Sequence, residues 1–100
     1  MMELVVLSRS EGEILETQAR LEDGEPGRGD RFNERAEQAL DRILSFPECG
    51  PLYSAPFRRL LIRDFPMGIF YSIEGRRVVI HAVLDLRQDE RAIVRRLGIS

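Results

Sequence analysis

Four arginines in the second half of the chain have the residue type and spacing that favour anion binding. Arg58, Arg59 and Arg63 fall within one β-prone run, and Arg87 follows a later one. The two-residue period of a strand predicts that Arg59 and Arg63 share one face of a sheet. The guanidinium group is planar and offers several donors to carboxylate or phosphate oxygens. We therefore predict a concave anion-binding patch of these four side chains, with solvated arginines paired to helix glutamates as the more ordinary alternative for each.

Tyr71 and His81 are the other side chains with chemical potential. A tyrosine can stack on a nucleobase or donate its hydroxyl, and histidine titrates near neutral pH without perturbation. Both residues lie in apolar runs, so hydrogen-bonded core positions are their expected structural roles. His81 and Cys49 are the sole histidine and cysteine, which is too few for a conventional zinc site or an internal disulfide. We expect neither a metal nor another cofactor.

The formal net charge of −2 is distributed unevenly along the chain. Residues 1–57 carry six arginines and twelve acidic residues, whereas residues 58–100 carry nine arginines and five acidic residues, which gives −6 and +4. Binding of nucleic acid over the whole surface is disfavoured by this balance, because phosphate neutralisation drives such binding. A local anion-binding face in the second half remains compatible with it.

The length of 100 residues is suited to one domain, and we treat residues 1–100 as a single unit. The longest apolar runs, Leu4–Leu7 and Val78–Leu84, are much shorter than the roughly 20 residues that cross a bilayer. Glu3 interrupts the start, and no small-residue cleavage site follows it. These features predict a cytoplasmic protein without membrane association.

The first half of the chain predicts a strand and a helix. The short β-branched and leucine run Glu3–Leu7 is typical of a buried strand. Ser10 and Glu13 have the spacing of a capping box at a helix start. The helix is expected to end near Asp23, with an apolar stripe of Ile14, Leu15, Ala19 and Leu21.

A second helix follows a breaker-rich bend. The glycines and proline of Gly24–Gly29 predict the turn of a helical hairpin, and Asp30 is the expected cap of the next helix. Pro47 and Gly50 require that this helix ends near Ser45. Its apolar residues recur at offsets of three and four, namely Phe32, Ala36, Ala39, Leu40, Ile43 and Leu44.

The second half predicts three strands in an antiparallel meander, Arg58–Arg63, Ile69–Ile73 and Val78–Leu84. Glu74-Gly75 is expected to form a tight hairpin turn, and Asp89 to cap a short helix. Both faces of the last strand are apolar, which predicts a central strand. The faces are expected to be Val78, Ile80, Ala82 and Leu84 on one side, and Val79, His81, Val83 and Asp85 on the other.

The predicted order is therefore β-α-α-β-β-β-α. This order indicates an α+β domain in which the N-terminal strand joins a small twisted, mainly antiparallel sheet. The helical hairpin covers one face of that sheet, and a short helix ends the chain.

Four segments in this order resemble the RelE/ParE toxin family, also called plasmid stabilisation proteins. Ile43–Gly50 is similar to the end of the family's second helix, and the basic strand Arg58–Arg63 follows it. Phe65–Tyr71 resembles the signature fP-y-x-I-x-Y, and Val78–Asp89 resembles the ending I-x-x-V-x-H-x-x-R-d-P. Three positions depart from these patterns: Met67 replaces a common aromatic residue, Asp85 a common histidine and Glu90 a usual proline.

The resemblance implies the toxin of a type II toxin–antitoxin system, held by an antitoxin whose flexible segment folds around it. A hetero-oligomer with an acidic antitoxin segment on Arg58, Arg59, Arg63 and Arg87 is the expected form. Such toxins inhibit growth, and the ParE branch does so by binding DNA gyrase. We favour this branch, and hence a protein that is not an enzyme, because histidine is missing at position 85 and the chain contains no lysine.

Two alternatives remain open at this point. In a RelE-like, metal-independent and ribosome-dependent mRNA endonuclease, Arg63, Tyr71, His81 and Arg87 would share the acid–base and charge-stabilising roles. The second alternative is a degenerate homologue that binds an antitoxin and inhibits nothing. The sequence does not distinguish the gyrase from the ribosome as target, nor does it identify the antitoxin.

Overall fold

The computed structural model describes residues 2–99, which form one five-stranded sheet and three helices. The strand order is β1-β5-β4-β3-β2, with β1 parallel to β5 and the other neighbours antiparallel. The predicted α+β class is confirmed, and β2 is an additional edge strand. In chain order the elements are β1 (Glu3–Val6), α1 (Ser8–Gly24), α2 (Arg28–Ser45), β2 (Leu52–Ser54), β3 (Phe57–Leu61), β4 (Met67–Glu74), β5 (Arg77–Asp85) and α3 (Glu90–Leu97).

The inward face of α1 differs from the predicted stripe. Leu15 is 63% exposed and Ala19 is also exposed. Ile14 and Leu21 of the predicted stripe do face inward, and Ser10 and Thr17 are buried with them, at helical spacings of four, three and four. The predicted capping box is wrong, because α1 begins at Ser8 and the Ser10 hydroxyl donates to the Ile80 carbonyl oxygen at 3.2 Å.

The bend of the helical hairpin is shorter than predicted, and its cap comes from α1. Asp30 lies inside α2, which begins at Arg28, so the predicted Asp30 cap is wrong. The Glu22 carboxylate accepts the N–H groups of Gly27 and Gly29 at 2.9 and 3.0 Å. A Cβ on Gly29 would lie 2.8 Å from the Gln18 carbonyl oxygen. The two helices therefore approach each other closely where residue 29 has no side chain.

The main core lies between the helical hairpin and one face of the sheet. The predicted stripe of α2 is confirmed at Phe32, Ala36, Ala39 and Ile43, which are all buried. Burial of this stripe against the sheet stabilises α2, because apolar area is removed from water. The sheet residues that meet it include Leu60, Met67, Ile69, Tyr71, Val78, Ile80 and Val83.

A smaller core lies on the opposite face of the sheet, under α3. Phe70, Ala82 and Ile93 are buried there. The Asp89 side chain accepts the Arg91 N–H at 2.8 Å, so the predicted cap of this helix is confirmed. The sheet is therefore covered by the hairpin on one face and by a short helix on part of the other.

A β-bulge interrupts β5 at His81. Phe70 pairs with Ala82 and Tyr71 with Ile80, which leaves His81 as an extra residue. The simple alternation predicted for β5 is consequently wrong. Val78, Ile80 and Val83 face the hairpin, whereas Ala82 and Leu84 join the core under α3. The predicted central location of β5 is confirmed, because it lies between β1 and β4.

Two predicted strands have different limits or surroundings. β1 is an edge strand rather than a buried one, with Glu3 exposed and the residues up to Val6 half-buried. β3 ends at Leu61, so Arg63 lies in the connection that follows the strand. Among residues 2–99 no helix combines the length and apolarity needed to span a membrane.

Candidate anion-binding and partner-binding residues

Arg58 and Arg59 lie side by side in β3 and face opposite sides of the sheet. Arg58 pairs with Tyr71 in register, and its Nη1 donates to the carbonyl oxygens of Gly50 and Glu48 at 2.8 and 3.3 Å. Arg59 pairs with Phe70 on the other face, where its guanidinium lies 5.4 Å from the centre of the Tyr53 ring. The predicted single patch is therefore divided at these two residues.

Arg63 and Arg87 are both exposed. Arg63 lies in the connection between β3 and β4, and Arg87 lies in the connection between β5 and α3. Because Arg63 follows the end of β3, the predicted shared strand face with Arg59 is not formed. The Asp85 carboxylate accepts from the Arg87 backbone N–H at 2.9 Å and from its side-chain Nε and Nη2 at 3.1 and 2.7 Å. These hydrogen bonds hold the pKa of Asp85 below its ordinary value. The Asp85 carboxylate thus orients the Arg87 side chain.

Arg87 lines a cleft together with two arginines that the sequence did not single out. Arg20 comes from α1 and Arg28 is the first residue of α2. The three positions are separated by up to 67 residues, so no local spacing pattern connects them. The hairpin brings the end of α1 and the start of α2 beside the end of β5.

Tyr71 is fully buried on the hairpin face of the sheet. Its hydroxyl donates to the Pro47 carbonyl oxygen at 2.7 Å and accepts the Gly50 N–H at 2.9 Å. Burial raises the pKa of this hydroxyl above its ordinary value. These contacts correspond to the expected core role, because both hydrogen-bonding directions are used within the α2–β2 connection.

His81 lies on the opposite face of the sheet from Tyr71. Its Nε2 is 2.8 Å from the Ser72 Oγ, and its ring stands edge-on to Phe57 with centroids 4.9 Å apart. Removal of the imidazole from water lowers its pKa, and the charge of Arg96 acts in the same direction, while Glu74 opposes both. His81 is therefore a half-buried, hydrogen-bonded histidine that favours the neutral form.

The His81 environment predicts a pH-dependent stability. Near pH 7.5 the imidazole is neutral in both the folded and unfolded states, given an unfolded pKa of about 6.5. As pH falls through this value, the unfolded chain binds a proton that the folded protein resists, so the free energy of unfolding decreases. Urea denaturation at about pH 7.5 and about pH 5.5 measures how much the free energy of unfolding decreases between the two conditions. The decrease should be larger for the wild type than for His81→Asn. An equal loss in both proteins would contradict this assignment.

The four residues proposed for a nuclease do not share one face of the sheet. Tyr71 is buried under the hairpin, His81 lies across the sheet, and Arg63 and Arg87 are exposed in separate connections. A general acid and a general base must both reach the same substrate within hydrogen-bond distance. In residues 2–99 no grouping of His, Cys, Asp and Glu suitable for a metal ion occurs either.

An ion pair that sequence reasoning missed connects α1 with α3. Glu13 Oε2 lies 2.8 Å from Arg96 Nε, and the two side chains are 17% and 15% exposed. Arg96 also donates to the His81 carbonyl oxygen at 2.8 Å, and Glu13 accepts the Val83 N–H at 3.1 Å. The pair therefore binds the backbone of β5 around its bulge. The 83-residue separation of the partners explains why no sequence pattern indicated it.

Exposed apolar side chains lie around the connection between α2 and β2. Phe46 is 69% exposed and Leu52 is 60% exposed. A shallow groove of about 450 Å³ is lined by Phe46, Pro47, Cys49 and Ile73. Apolar surface next to an edge strand is a common feature of protein-binding sites.

No protein-family model and no curated protein matches the sequence. The fold is nevertheless similar to a chain in the solved structure of the chromosomal ParDE TA system from P. aeruginosa. The TM-score is 0.77 at 12% sequence identity, and the alignment covers 87% of this chain and 98% of the other. The protein therefore has a ParE-like fold over nearly all of that chain's length.

Proposed function

We propose that this protein is the cytoplasmic toxin of a type II toxin–antitoxin pair that inhibits DNA gyrase, as the ParE branch of the family does. The observation that carries the proposal is the fold similarity to a chain of the ParDE TA system, which extends over 87% of this protein. At a sequence identity of 12% the two proteins share the fold. The cellular target of this protein depends on its own surface residues and charge.

Two surface features support a protein target over RNA cleavage. The proposed nuclease residues lie on different faces of the sheet, so no substrate position is within reach of both Tyr71 and His81. The overall charge of −2 is also poorly suited to the many phosphate contacts of ribosome docking. Binding and trapping of a protein needs neither a general base nor a strongly basic surface.

The proposed antitoxin contact combines charge and apolar area. Arg58, Arg59, Arg63 and Arg87 would pair with acidic residues of a flexible segment that folds on binding. The apolar groove lined by Phe46, Pro47, Cys49 and Ile73 would receive the hydrophobic residues of the same segment. Because these residues lie on both faces of the sheet at β3, the segment would wrap around the toxin. The result would be a toxin–antitoxin hetero-oligomer.

Expression of this protein alone is expected to arrest growth and to cause chromosomal DNA breaks. In a reconstituted assay, the purified protein should stabilise the cleaved-DNA complex of gyrase, while messages under translation stay intact. Co-expression with the cognate antitoxin should restore growth. Intact DNA together with codon-specific mRNA cuts would instead identify the RelE-like endonuclease, and folded protein without either effect would identify a degenerate homologue.

A matched pair of arginine variants tests the binding surface. Arg63 and Arg76 are both exposed, and among residues 2–99 neither side chain takes part in a hydrogen bond or ion pair. Arg63→Ala is expected to weaken gyrase inhibition or antitoxin binding about five- to tenfold, as the loss of one charged contact would. Arg76→Ala, which removes the same charge at the β4–β5 turn, is expected to change neither. Equal effects of the two variants would contradict the proposed surface.

A further inference from the structure

The cleft between the tip of the helical hairpin and the end of β5 has a charge pattern of its own. It has a volume of about 290 Å³. Two arginines of the helical hairpin and one from the connection after β5 line it, together with apolar residues of the hairpin and of the start of β4. The arginines are Arg20, Arg28 and Arg87, and the apolar residues include Leu21, Pro66 and Met67.

Two of the three guanidinium groups are held in place by neighbours. Asp85 binds Arg87 through Nε and Nη2, which leaves the remaining N–H groups of that side chain available. The Arg28 guanidinium lies 5.8 Å from the centre of the Phe65 ring, a cation–π distance. Ordered donors bind an anion with a smaller entropy loss than free side chains do.

The protein neutralises only part of the positive charge of the cleft. Within residues 2–99, Arg20 and Arg28 form no ion pair, and Arg87 pairs with Asp85 alone. Glu22, which lies near the hairpin bend, is engaged by the N–H groups of Gly27 and Gly29. Three guanidinium groups and one carboxylate give the cleft a formal charge of +2.

We propose that this cleft binds the dianion of a phosphate monoester. A dianion balances the charge of +2, whereas a single carboxylate would leave a charge of +1 unbalanced. Arginine also offers the paired donors that match phosphate oxygens. The volume of about 290 Å³ corresponds to roughly ten waters at about 30 Å³ each, which exceeds the five heavy atoms of phosphate. Pro66, the half-buried apolar residue of the lining, is therefore placed to contact the organic part of the ester.

This site goes beyond the proposed function, because binding is measured on the purified protein without antitoxin, gyrase or ribosome. Failure of one proposal therefore leaves the other intact. The adjoining hollow carries Glu13 and Glu16 beside Arg20, and Glu13 is engaged by Arg96. Glu16 is the nearby carboxylate that could compete for Arg20, and Glu16→Gln is expected to leave phosphate binding equal or stronger.

Isothermal titration with phenyl phosphate tests the site, at low ionic strength and about pH 8, above the second phosphate pKa of about 6. Arg20→Gln and Arg28→Gln should each weaken binding about tenfold, as expected for a charged hydrogen bond. Both positions are exposed, and the melting temperature verifies folding of each variant. Inorganic phosphate should bind more weakly than phenyl phosphate, because it lacks the apolar group.

The control is Arg91→Gln. Arg91 bonds Asp89 in the same Asp-x-Arg arrangement in which Arg87 bonds Asp85, but it lies outside the cleft. Its substitution should change the affinity less than twofold, since the two sites share no residue. Absence of phenyl phosphate binding by the wild type would overturn the proposal. Equal losses in Arg91→Gln and Arg28→Gln, or binding of acetate as tight as that of phosphate, would also overturn it.

Discussion

Replacing Glu13 with alanine is expected to lower the free energy of unfolding by about 2 to 3 kcal/mol. Loss of one partner from a buried ion pair typically costs about 3 to 5 kcal/mol, and residual exposure of 17% for Glu13 and 15% for Arg96 reduces that figure. Alanine would leave the Arg96 guanidinium without its carboxylate and the Val83 N–H without its acceptor. The cost arises because both groups stay largely shielded from water.

A double-mutant cycle in urea measures this effect. Arg96→Ala should cost about as much as Glu13→Ala, and the double variant should cost clearly less than the sum, because no unpaired charge remains. Glu16→Ala is the matched control, since Glu16 is an exposed glutamate one turn further along α1 and its loss should change stability by less than about 0.5 kcal/mol. Equal effects of Glu13→Ala and Glu16→Ala would contradict a structural role of the pair.

The position of this ion pair follows from the lengths of β1 and β5. β1 pairs with β5 only as far as Ile80, where Val6 is the last partner. Beyond that point this edge of β5 has no neighbouring strand, and its backbone groups need other partners. The Ile80 carbonyl oxygen accepts the Leu7 N–H at 3.2 Å. Helix α1 adds the Ser10 hydroxyl as a second donor to this oxygen and the Glu13 carboxylate as the acceptor of the Val83 N–H. Polar residues of α1 therefore hydrogen-bond to the backbone of β5 along this edge.

This arrangement explains why α1 was the least predictable helix. Its inward positions Ser10 and Thr17 are polar, so the apolar pattern indicated Leu15 and Ala19 instead. By contrast, α2 packs an apolar stripe against the sheet, and its period of 3.6 residues predicted the buried face. Pro47 and Gly50 predicted its end at Ser45. Helical periodicity is informative where a helix meets an apolar surface, and less so where it meets unpaired backbone.

The candidate site was less predictable than the fold for a similar reason. Strand alternation predicted that Arg59 and Arg63 share a face, but β3 ends at Leu61, between the two. The bulge at His81 changes the alternation of β5, and no residue in its sequence indicates an extra position. Arg20 and Arg28 join Arg87 only through the hairpin. Contacts that depend on tertiary geometry carry no local sequence signal, whereas the Asp85–Arg87 contact joins residues only two positions apart.

Replacing Gly50 with alanine is expected to lower the free energy of unfolding by about 2 to 3 kcal/mol, a typical cost of overpacking together with a lost hydrogen bond. A Cβ at this position would lie 2.8 Å from the Tyr71 hydroxyl and 3.0 Å from the Arg59 carbonyl oxygen. Gly50 is buried between them, so the ring or the backbone of β3 must shift. Denaturation in urea measures the loss.

Gly12→Ala is the control, and its expected effect on the free energy of unfolding has the opposite sign. Gly12 lies within α1, and a Cβ there would meet no other atom within 4 Å. Gly12→Ala should therefore stabilise the protein by up to about 1 kcal/mol through helix propensity. A loss of stability in Gly12→Ala as large as that in Gly50→Ala would show that alanine is poorly tolerated for reasons other than the Tyr71 contact.

Tyr71→Phe separates the structural role of this residue from a functional one. The variant removes the donor to Pro47 and the acceptor of the Gly50 N–H, which should cost about 1 to 3 kcal/mol. Because the hydroxyl is buried under the hairpin, the folded variant should still inhibit growth as strongly as the wild type. Unchanged stability with lost toxicity would contradict this role, and it would mean that the hydroxyl serves the target rather than the α2–β2 connection.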